Sequence, residues 1–260
     1  MLSELNEEDV KFKDLSHYIN LKGKWNKNLY GDTWRKFFSG RSHVGACMWL
    51  CEKLNPTSFE DFYLKYINSG TNDRNLDRIY RGRTVEELES IAIRWRDVCN
   101  DYETPLSEYY DAIVLHTIVE TYVGKHYESK AISHLAEKGY DVLHGDDYED
   151  EYMNIDLKVY KDGKLLTFLQ VKPVSFIVSK RWHTKDDRKE VFEKHRCGKE
   201  KYPGIPYKYL LYDVKTDKWI YNKKEERNLF NYEDLVDING NSKISGYMLR
   251  KHETDGLSKN

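Results

Sequence analysis

The spacing of apolar residues changes at Gly139, and this change restricts the folds open to the chain more than any other feature. Before Gly139, apolar side chains recur every three to four residues over long stretches, which is the period of a helix with one buried face. After Gly139 the period approaches two, which is typical of strands. The sequence therefore predicts an α/β (α+β) fold, in which a largely helical N-terminal half precedes a mixed β-sheet core flanked by helices.

Start and stop signals locate the helices of the N-terminal half. Thr84, with Glu87 three residues later, forms a capping box ahead of a helix that continues to about residue 98. Pro105 suits the first turn of a long helical stretch, and Gly139 is the expected stop after it. Two further helices are predicted over residues 41–54 and 59–67.

The second half is predicted to consist mainly of strands. Asp162-Gly163, between two apolar runs, is a strong signal for a two-residue hairpin turn. This turn joins a strand over residues 155–160 to a strand over residues 165–173. The acidic segment 146–151 is predicted to be a loop, and residues 184–199 are predicted to form a charged helix. The remaining strands are predicted over residues 140–143, 207–214 and 218–221.

The distribution of charge favours a nucleic-acid enzyme more than the net charge does. A formal net charge of -2 argues against a uniform affinity for phosphates, which normally requires a surplus of Lys and Arg. Acidic residues, however, are concentrated in residues 146–151, and basic residues are in surplus in residues 172–227. A basic surface beside an acidic pocket would attract phosphates and hold a divalent cation. Two ordinary solvated faces would give the same distribution.

The composition is that of a soluble protein. With 39% apolar residues the chain can bury a core. It contains no run of about eighteen apolar residues and no signal-peptide pattern near Met1. We therefore expect a cytoplasmic protein with no membrane partner.

Three polar residues around the predicted hairpin supply the parts that phosphodiester hydrolysis requires. Gln170 and Lys172 lie two apart on a strand and so share one face. The turn folds the preceding strand back, which brings Asp156 across from them. A carboxylate, an amide oxygen and an ammonium would then meet, as a cation-assisted hydrolysis needs. The alternative is a strand that simply ends in solvent with polar residues at its tip.

Asp156 with Gln170-Val171-Lys172 resembles the core of the PD-(D/E)XK nuclease superfamily, in the variant that closes with Q-x-K. The segment from Asn154 through the hairpin to Phe176 is similar to the MjaI family of type II restriction endonucleases. The resemblance covers most of residues 34–176. It implies a prokaryotic, Mg²⁺-dependent endonuclease that cuts double-stranded DNA at a short palindrome, with CTAG as the candidate site.

Two departures from the superfamily pattern bear on the site. Asn154-Ile155 replaces the proline, at a position that only shapes the start of the strand. Gln170 replaces an acid, which removes one negative charge and should weaken cation affinity. The resemblance implies that Asp156, Gln170 and Glu128 hold the metal, with Glu128 supplied by the preceding helix, and that Lys172 acts on the water or the phosphate. An exposed helical glutamate without a role is the alternative for Glu128.

Basic residues near turns and helix ends are candidates for DNA contacts, because such positions reach grooves and phosphates. Phosphate contacts are the expected use of most of them, since positioning contacts outnumber those that read bases. The candidates are Arg41, His43, Arg74, Arg78, Arg81, Arg83, Lys180, Arg181 and Lys185.

The predicted organisation has three regions: residues 1–104 for DNA contact or dimerisation, 105–240 for the catalytic core, and 241–260 as a C-terminal tail. A homodimer would match the two-fold symmetry of a palindrome. A DNA methyltransferase is the expected genetic partner, because a host must protect its own copies of the site. Two other functions stay open: a structure-directed nuclease of DNA repair or junction resolution, and a DNA-binding or partner-binding protein that keeps the fold without cleaving.

Overall fold

The computed structural model describes residues 10–21, 47–76, 80–174, 185–220 and 229–235. The chain divides into two compact units, residues 1–125 and 126–260. Unit 1 is helical and unit 2 contains the sheet, so the predicted α+β class with a mixed sheet and a helical N-terminal half is confirmed. The finer three-region division at residues 104 and 240 stays a prediction.

Unit 1 is built from amphipathic helices around an aromatic core. Thr84 caps the fourth helix as predicted: its Oγ1 accepts from the backbone N–H of Glu87 at 3.2 Å, and the Glu87 carboxylate accepts from the N–H of Thr84 at 3.1 Å. Phe62 and Tyr122 stack inside this core, with ring centroids 6.0 Å apart. The described helices of this unit are α1 (Leu15–Leu21), α2 (Cys47–Leu54), α3 (Phe59–Asn72), α4 (Val85–Cys99), α5 (Leu106–Val114) and the first residues of α6 (Glu120–Ala136), most of which belongs to unit 2.

The long helical stretch after Pro105 is present but contains one wide turn. Helix α5 passes into a π-helical turn over Leu115–Val119 before α6 begins. Inside that turn the hydroxyl of Thr117 donates to the carbonyl of Ile113 at 2.6 Å, which competes with the regular helical hydrogen bonds. Gly139 adopts a φ of 79°, the left-handed conformation predicted for the stop after α6.

Unit 2 contains a mixed sheet of six strands in the described part of the chain. The strand order is β1-β2-β3-β4-β5, with β6 paired to β4. Strands β3 and β4 are parallel and the other pairs are antiparallel. The strands are β1 (Asp141–His144), β2 (Leu157–Lys161), β3 (Lys164–Pro173), β4 (Tyr207–Asp213), β5 (Lys218–Trp219) and β6 (Leu229–Phe230).

The turn between β2 and β3 is the predicted hairpin. Asp162 and Gly163 have φ values of 51° and 73°. Two consecutive positive φ angles define the tight turn whose twist matches that of the flanking strands. The turn and a one-residue shift of register between Val159 and Tyr160 together fix which residues of β2 and β3 face one another, and they therefore set the geometry of the candidate site.

Helices cover both faces of the sheet within unit 2. On one face, Phe168 of β3 and Tyr207 of β4 pack with Met153 and Cys197. On the other face, Tyr127 of α6 stacks on Tyr212 of β4, with ring centroids 3.6 Å apart. The remaining helices of this unit are α7 (Asp147–Met153), α8 (Lys185–Lys201) and α9 (Tyr232–Leu235).

The prediction of a loop over the acidic segment 146–151 is wrong. Asp147–Met153 form helix α7. Asp146 accepts from the N–H of Glu149 at 2.8 Å, and Glu149 accepts from the N–H of Asp146 at 3.1 Å, which is a complete capping box. Acids in the first turn also favour helix formation, because their negative charges lie near the positive end of the helix dipole and are attracted to it.

The N-terminal part of the predicted helix 41–54 and the C-terminal tail from residue 241 lie outside the described residues. Among the residues that are described, no helix combines the length and the apolar character needed to cross a membrane.

Candidate active site

The register between β2 and β3 brings Asp156 opposite Gln170. Leu157 pairs with Leu169 in the antiparallel ladder. Asp156 directly precedes Leu157 and Gln170 directly follows Leu169, so the two residues lie side by side at the end of this ladder, and their side chains are in contact. Lys172 follows two residues after Gln170 and shares its face. The predicted convergence of these three side chains is therefore present.

Asp156 accepts hydrogen bonds from three donors. Gln170 Nε2 lies 2.7 Å from Asp156 Oδ1, and the backbone N–H of Val171 donates to Oδ2 at 2.9 Å. Lys172 Nζ lies 3.0 Å from Oδ2 and 3.4 Å from Oδ1. Only 4% of the Asp156 side chain is exposed, so these partners replace the water that a buried carboxylate loses.

Lys172 stays protonated in this environment. Burial by itself would lower its pKa, but the charge of Asp156 and the hydrogen bond to it raise that pKa above its usual value. The charges of Asp150 and Glu128 add to the same effect. The side chain keeps 27% of its surface exposed. Lys172 is therefore a positive group that a ligand from solvent can approach, and it is a poor candidate for a general base at neutral pH.

Gln170 is completely buried, and within the described part of the chain only the nitrogen of its side-chain amide has hydrogen-bond partners. Its Nε2 donates to the backbone carbonyl of Asn154 at 2.5 Å and to Asp156 at 2.7 Å. Its Oε1 has no hydrogen-bond partner among the described residues. Buried polar atoms without a partner are rare in folded proteins and often mark an ion or water site.

Glu128 lies on α6, as the sequence predicts, and its Oε2 is 3.9 Å from His144 Nδ1 on β1. Its charge contributes to the raised pKa of Lys172. Asp150 contributes in the same way from α7, although the sequence analysis did not select it. Two carboxylates besides Asp156 thus act electrostatically on the same ammonium.

The residues around Asp156 include oxygen donors of the kind that Mg²⁺ prefers, although Gln170 turns its Nε2 and not its Oε1 toward the Asp156 carboxylate. No group of three or more His, Cys, Asp or Glu side chains suited to a metal occurs in the part of the chain that the structure describes. Mg²⁺ does not require such a cage, because it is usually bound by one or two carboxylates and keeps several waters, to which substrate phosphates are added. The carboxylate of Asp156 and the unpartnered amide oxygen of Gln170 are oxygen donors of the kind that this cation prefers.

The basic residues predicted to contact DNA lie in different environments. Arg74 is exposed after α3. Arg81 is buried, and both its terminal nitrogens bind the Glu87 carboxylate, at 2.8 and 2.9 Å. Arg83 is also buried. We therefore exclude Arg81 and Arg83 from the predicted DNA contacts, since little of either side chain is accessible to a phosphate.

Six of the predicted DNA contacts are not described. Five of these residues lie outside the described ranges, and the side chain of the sixth, at the first position of α8, is not described. They are Arg41, His43, Arg78, Lys180, Arg181 and Lys185.

Two contributors to the site escaped the sequence analysis because they are backbone groups. The carbonyl of Asn154 accepts from Gln170, and the N–H of Val171 donates to Asp156. No residue type signals such a contact. Glu149 also escaped selection, although the Asp146-x-x-Glu149 spacing is a readable capping signal.

The chain was compared with models of known protein families, with curated proteins and with solved structures, and none of the three searches gave a match. The resemblance to MjaI-type nucleases, and the roles it implies, stay predictions.

Proposed function

We propose that the chain is a Mg²⁺-dependent endonuclease that hydrolyses phosphodiester bonds of double-stranded DNA. The observation that carries this proposal is the meeting of Asp156, Gln170 and Lys172 in one cluster, with a buried Gln170 Oε1 that lacks a partner. An acidic ligand, an amide oxygen and an accessible ammonium are the parts that cation-assisted phosphate hydrolysis uses.

Each residue has a distinct task in this proposal. Asp156 and Gln170 would hold the cation, with Glu128 adding negative charge nearby. When bound, Mg²⁺ would neutralise part of the negative charge on the scissile phosphate and lower the pKa of a coordinated water. Lys172, which is protonated, orients the attacking water and stabilises the charge that develops on the phosphate. The water oxygen forms a bond to phosphorus and gives up a proton to solvent, one ester P–O bond breaks, and the leaving oxygen takes up a proton from solvent to become a hydroxyl.

Three parts of the proposal rest only on the resemblance of most of residues 34–176 to restriction endonucleases. They are the recognition of a short palindrome such as CTAG, a homodimer and a partner methyltransferase. Among the predicted DNA contacts whose side chains are described, Arg74 is exposed, which supports such a role. These parts of the proposal are separable from hydrolysis itself.

A DNA-binding protein that does not cleave is a second candidate, and one observation favours it. Both oxygens of Asp156 already accept hydrogen bonds, and Gln170 brings no charge to the cation. A site of this kind could hold its shape as a structural ion pair without ever taking up a metal.

A plasmid digest separates these functions. Supercoiled plasmid is incubated with the protein in Mg²⁺ or in EDTA, beside the variant Asp156→Asn and the control Asp141→Asn, which alters an exposed acid on β1. Wild type and the control should cut in Mg²⁺ only, and Asp156→Asn should not cut. Discrete fragments indicate sequence-specific cleavage, whereas cutting confined to branched substrates indicates a repair or junction nuclease. Salt-sensitive binding without cutting would overturn the nuclease proposal.

A further inference from the structure

Glu149 is a buried carboxylate that the proposed chemistry does not use. Only 1% of its side chain is exposed, and a charge buried this deeply requires several partners. Its carboxylate accepts from the N–H of Asp146 at 3.1 Å, from Lys158 Nζ at 2.7 Å, from Lys201 Nζ at 3.4 Å and from the Tyr202 hydroxyl. Burial opposes the charge, but the hydrogen bonds from Lys158 and Tyr202 lower the pKa of Glu149 to about 2.

These four donors belong to three separate parts of unit 2. Asp146 begins α7, Lys158 lies on β2, and Lys201 with Tyr202 lies at the end of α8. A single carboxylate thus ties a short helix to the sheet and to a second helix. A helix of seven residues is too short to be stable by itself. The position of α7 in unit 2 therefore depends on tertiary contacts such as those of the Glu149 carboxylate.

The end of α7 leads directly into the candidate active site. The carbonyl of Glu149 accepts from the N–H of Ile155 at 3.1 Å. Asn154, between them, ends the helix with a φ of 59°, and its carbonyl accepts from Gln170 Nε2. Asp156 follows one residue after Ile155. Glu149 therefore holds α7 through its side chain and holds the segment before Asp156 through its backbone.

We propose that Glu149 is a positioning residue of the candidate active site. By fixing α7, it keeps the Asn154 carbonyl and the Asp156 carboxylate where both contact Gln170. The catalytic consequence rests on the proposed function, but the placement of Gln170 can be measured without it. Loss of an outer partner of this kind typically reduces metal affinity or activity by about 10- to 100-fold.

The variant Glu149→Gln keeps the size of the side chain and removes its charge, which tests this role. Asp111→Asn is the matched control, because Asp111 is also a buried carboxylate with a lysine partner, Lys13 at 2.7 Å, and it lies in unit 1. Both variants should lower the melting temperature. Only Glu149→Gln should shift the side-chain amide signals of Gln170 in a ¹H–¹⁵N NMR spectrum. With plasmid and Mg²⁺, only Glu149→Gln should lower kcat by about 10-fold or more with KM nearly unchanged.

The outcomes distinguish the two proposals. If wild type neither cuts plasmid nor binds Mg²⁺ in calorimetry, the proposed function fails, and the shift of the Gln170 signals still decides the positioning role. Gln170 signals that stay unchanged in Glu149→Gln, together with a kcat no lower than that of Asp111→Asn, would overturn the positioning role. Should Glu149→Gln not fold, Tyr202→Phe removes one of the four donors and is measured in the same way, with the same two readings.

Discussion

Replacing Lys172 by methionine should separate the stability of the site from its chemistry. Methionine keeps the length and apolar stem of the side chain and removes the charge. Lys172 Nζ lies 3.0 and 3.4 Å from the two oxygens of Asp156. The substitution therefore leaves a carboxylate that is 4% exposed with two neutral donors, Gln170 and the N–H of Val171.

The cost in stability follows from this burial. Removing one partner of a buried ion pair costs about 3 to 5 kcal/mol, because the remaining charge is left without compensation. Asp156 keeps two hydrogen bonds, and 27% of the Lys172 side chain is exposed, so we expect a smaller loss of about 2 kcal/mol for Lys172→Met. The double variant Asp156→Asn/Lys172→Met removes both charges and should recover about half of that loss.

An exposed pair in the same unit is the control. Lys130 Nζ lies 2.6 Å from Asp217, but 37% and 61% of these side chains are exposed. Exposed pairs contribute less than about 1 kcal/mol, so Lys130→Met should change the free energy of unfolding little and leave DNA cleavage unchanged. Denaturant unfolding gives the stabilities, and plasmid cleavage in Mg²⁺ gives the rates.

The expected combination is specific to a catalytic ammonium. Lys172→Met should lose about 100- to 1,000-fold in cleavage rate, and the double variant should stay inactive although it is more stable than the single one. Cleavage by Lys172→Met within twofold of wild type would refute the assigned role of Lys172. A double variant no more stable than Lys172→Met would refute the idea that Asp156 depends on this charge.

Three further predictions concern residues of unit 2. Burial lowers the pKa of His195 to about 4; the stability that this contributes is complete above pH 6.5 and is lost as the pH falls toward 4. This residue alone should therefore make unfolding at pH 5 cost about 2 kcal/mol less than at pH 7.5, and His195→Phe should reduce the pH dependence by about that amount, whereas an unchanged pH dependence would contradict it. Gln170→Glu should be less stable than wild type in EDTA, because an acceptor then faces the Asn154 carbonyl, and Mg²⁺ should raise its melting temperature more than that of wild type; equal melting in both solutions would count against a cation site. Gly145→Ala should lose about 1 to 3 kcal/mol, since its Cβ would lie 2.2 Å from the carbonyl oxygen of Ile155, and denaturant unfolding at wild-type stability would show that this close approach can relax.

The sequence predicted the hairpin because it depends on local rules. A period of two places Gln170 and Lys172 on one face, and Asp162-Gly163 sets the turn that folds β2 back beside β3. The capping box at Thr84 was likewise predictable from four consecutive residues. The sequence did not show the one-residue shift of register between Val159 and Tyr160, without which Asp156 would face Leu169 instead of Gln170.

The features that the sequence did not reveal depend on tertiary packing or on backbone atoms. The acidic segment was interpreted through its charge, although Asp146 and Glu149 carry the spacing of a helix start. Arg81 and Arg83 look like surface cations in a basic turn, and their burial follows from packing around α4, which local pattern does not show. The carbonyl of Asn154 has no side-chain signature at all.

The charges of the cluster bear on when a cation would bind in the proposed mechanism. Asp156 and Lys172 form a pair without net charge, and Gln170 adds none. A divalent cation entering this pair alone would meet the ammonium of Lys172 with little excess negative charge to offset it. Asp150 and Glu128 supply part of what is missing, since both already raise the pKa of Lys172. The phosphates of DNA would supply the rest, and because linkage is reciprocal, DNA should tighten Mg²⁺ binding as much as Mg²⁺ tightens DNA binding. Gln170 in place of an acid therefore favours a site that assembles on its substrate over one that holds a resident metal.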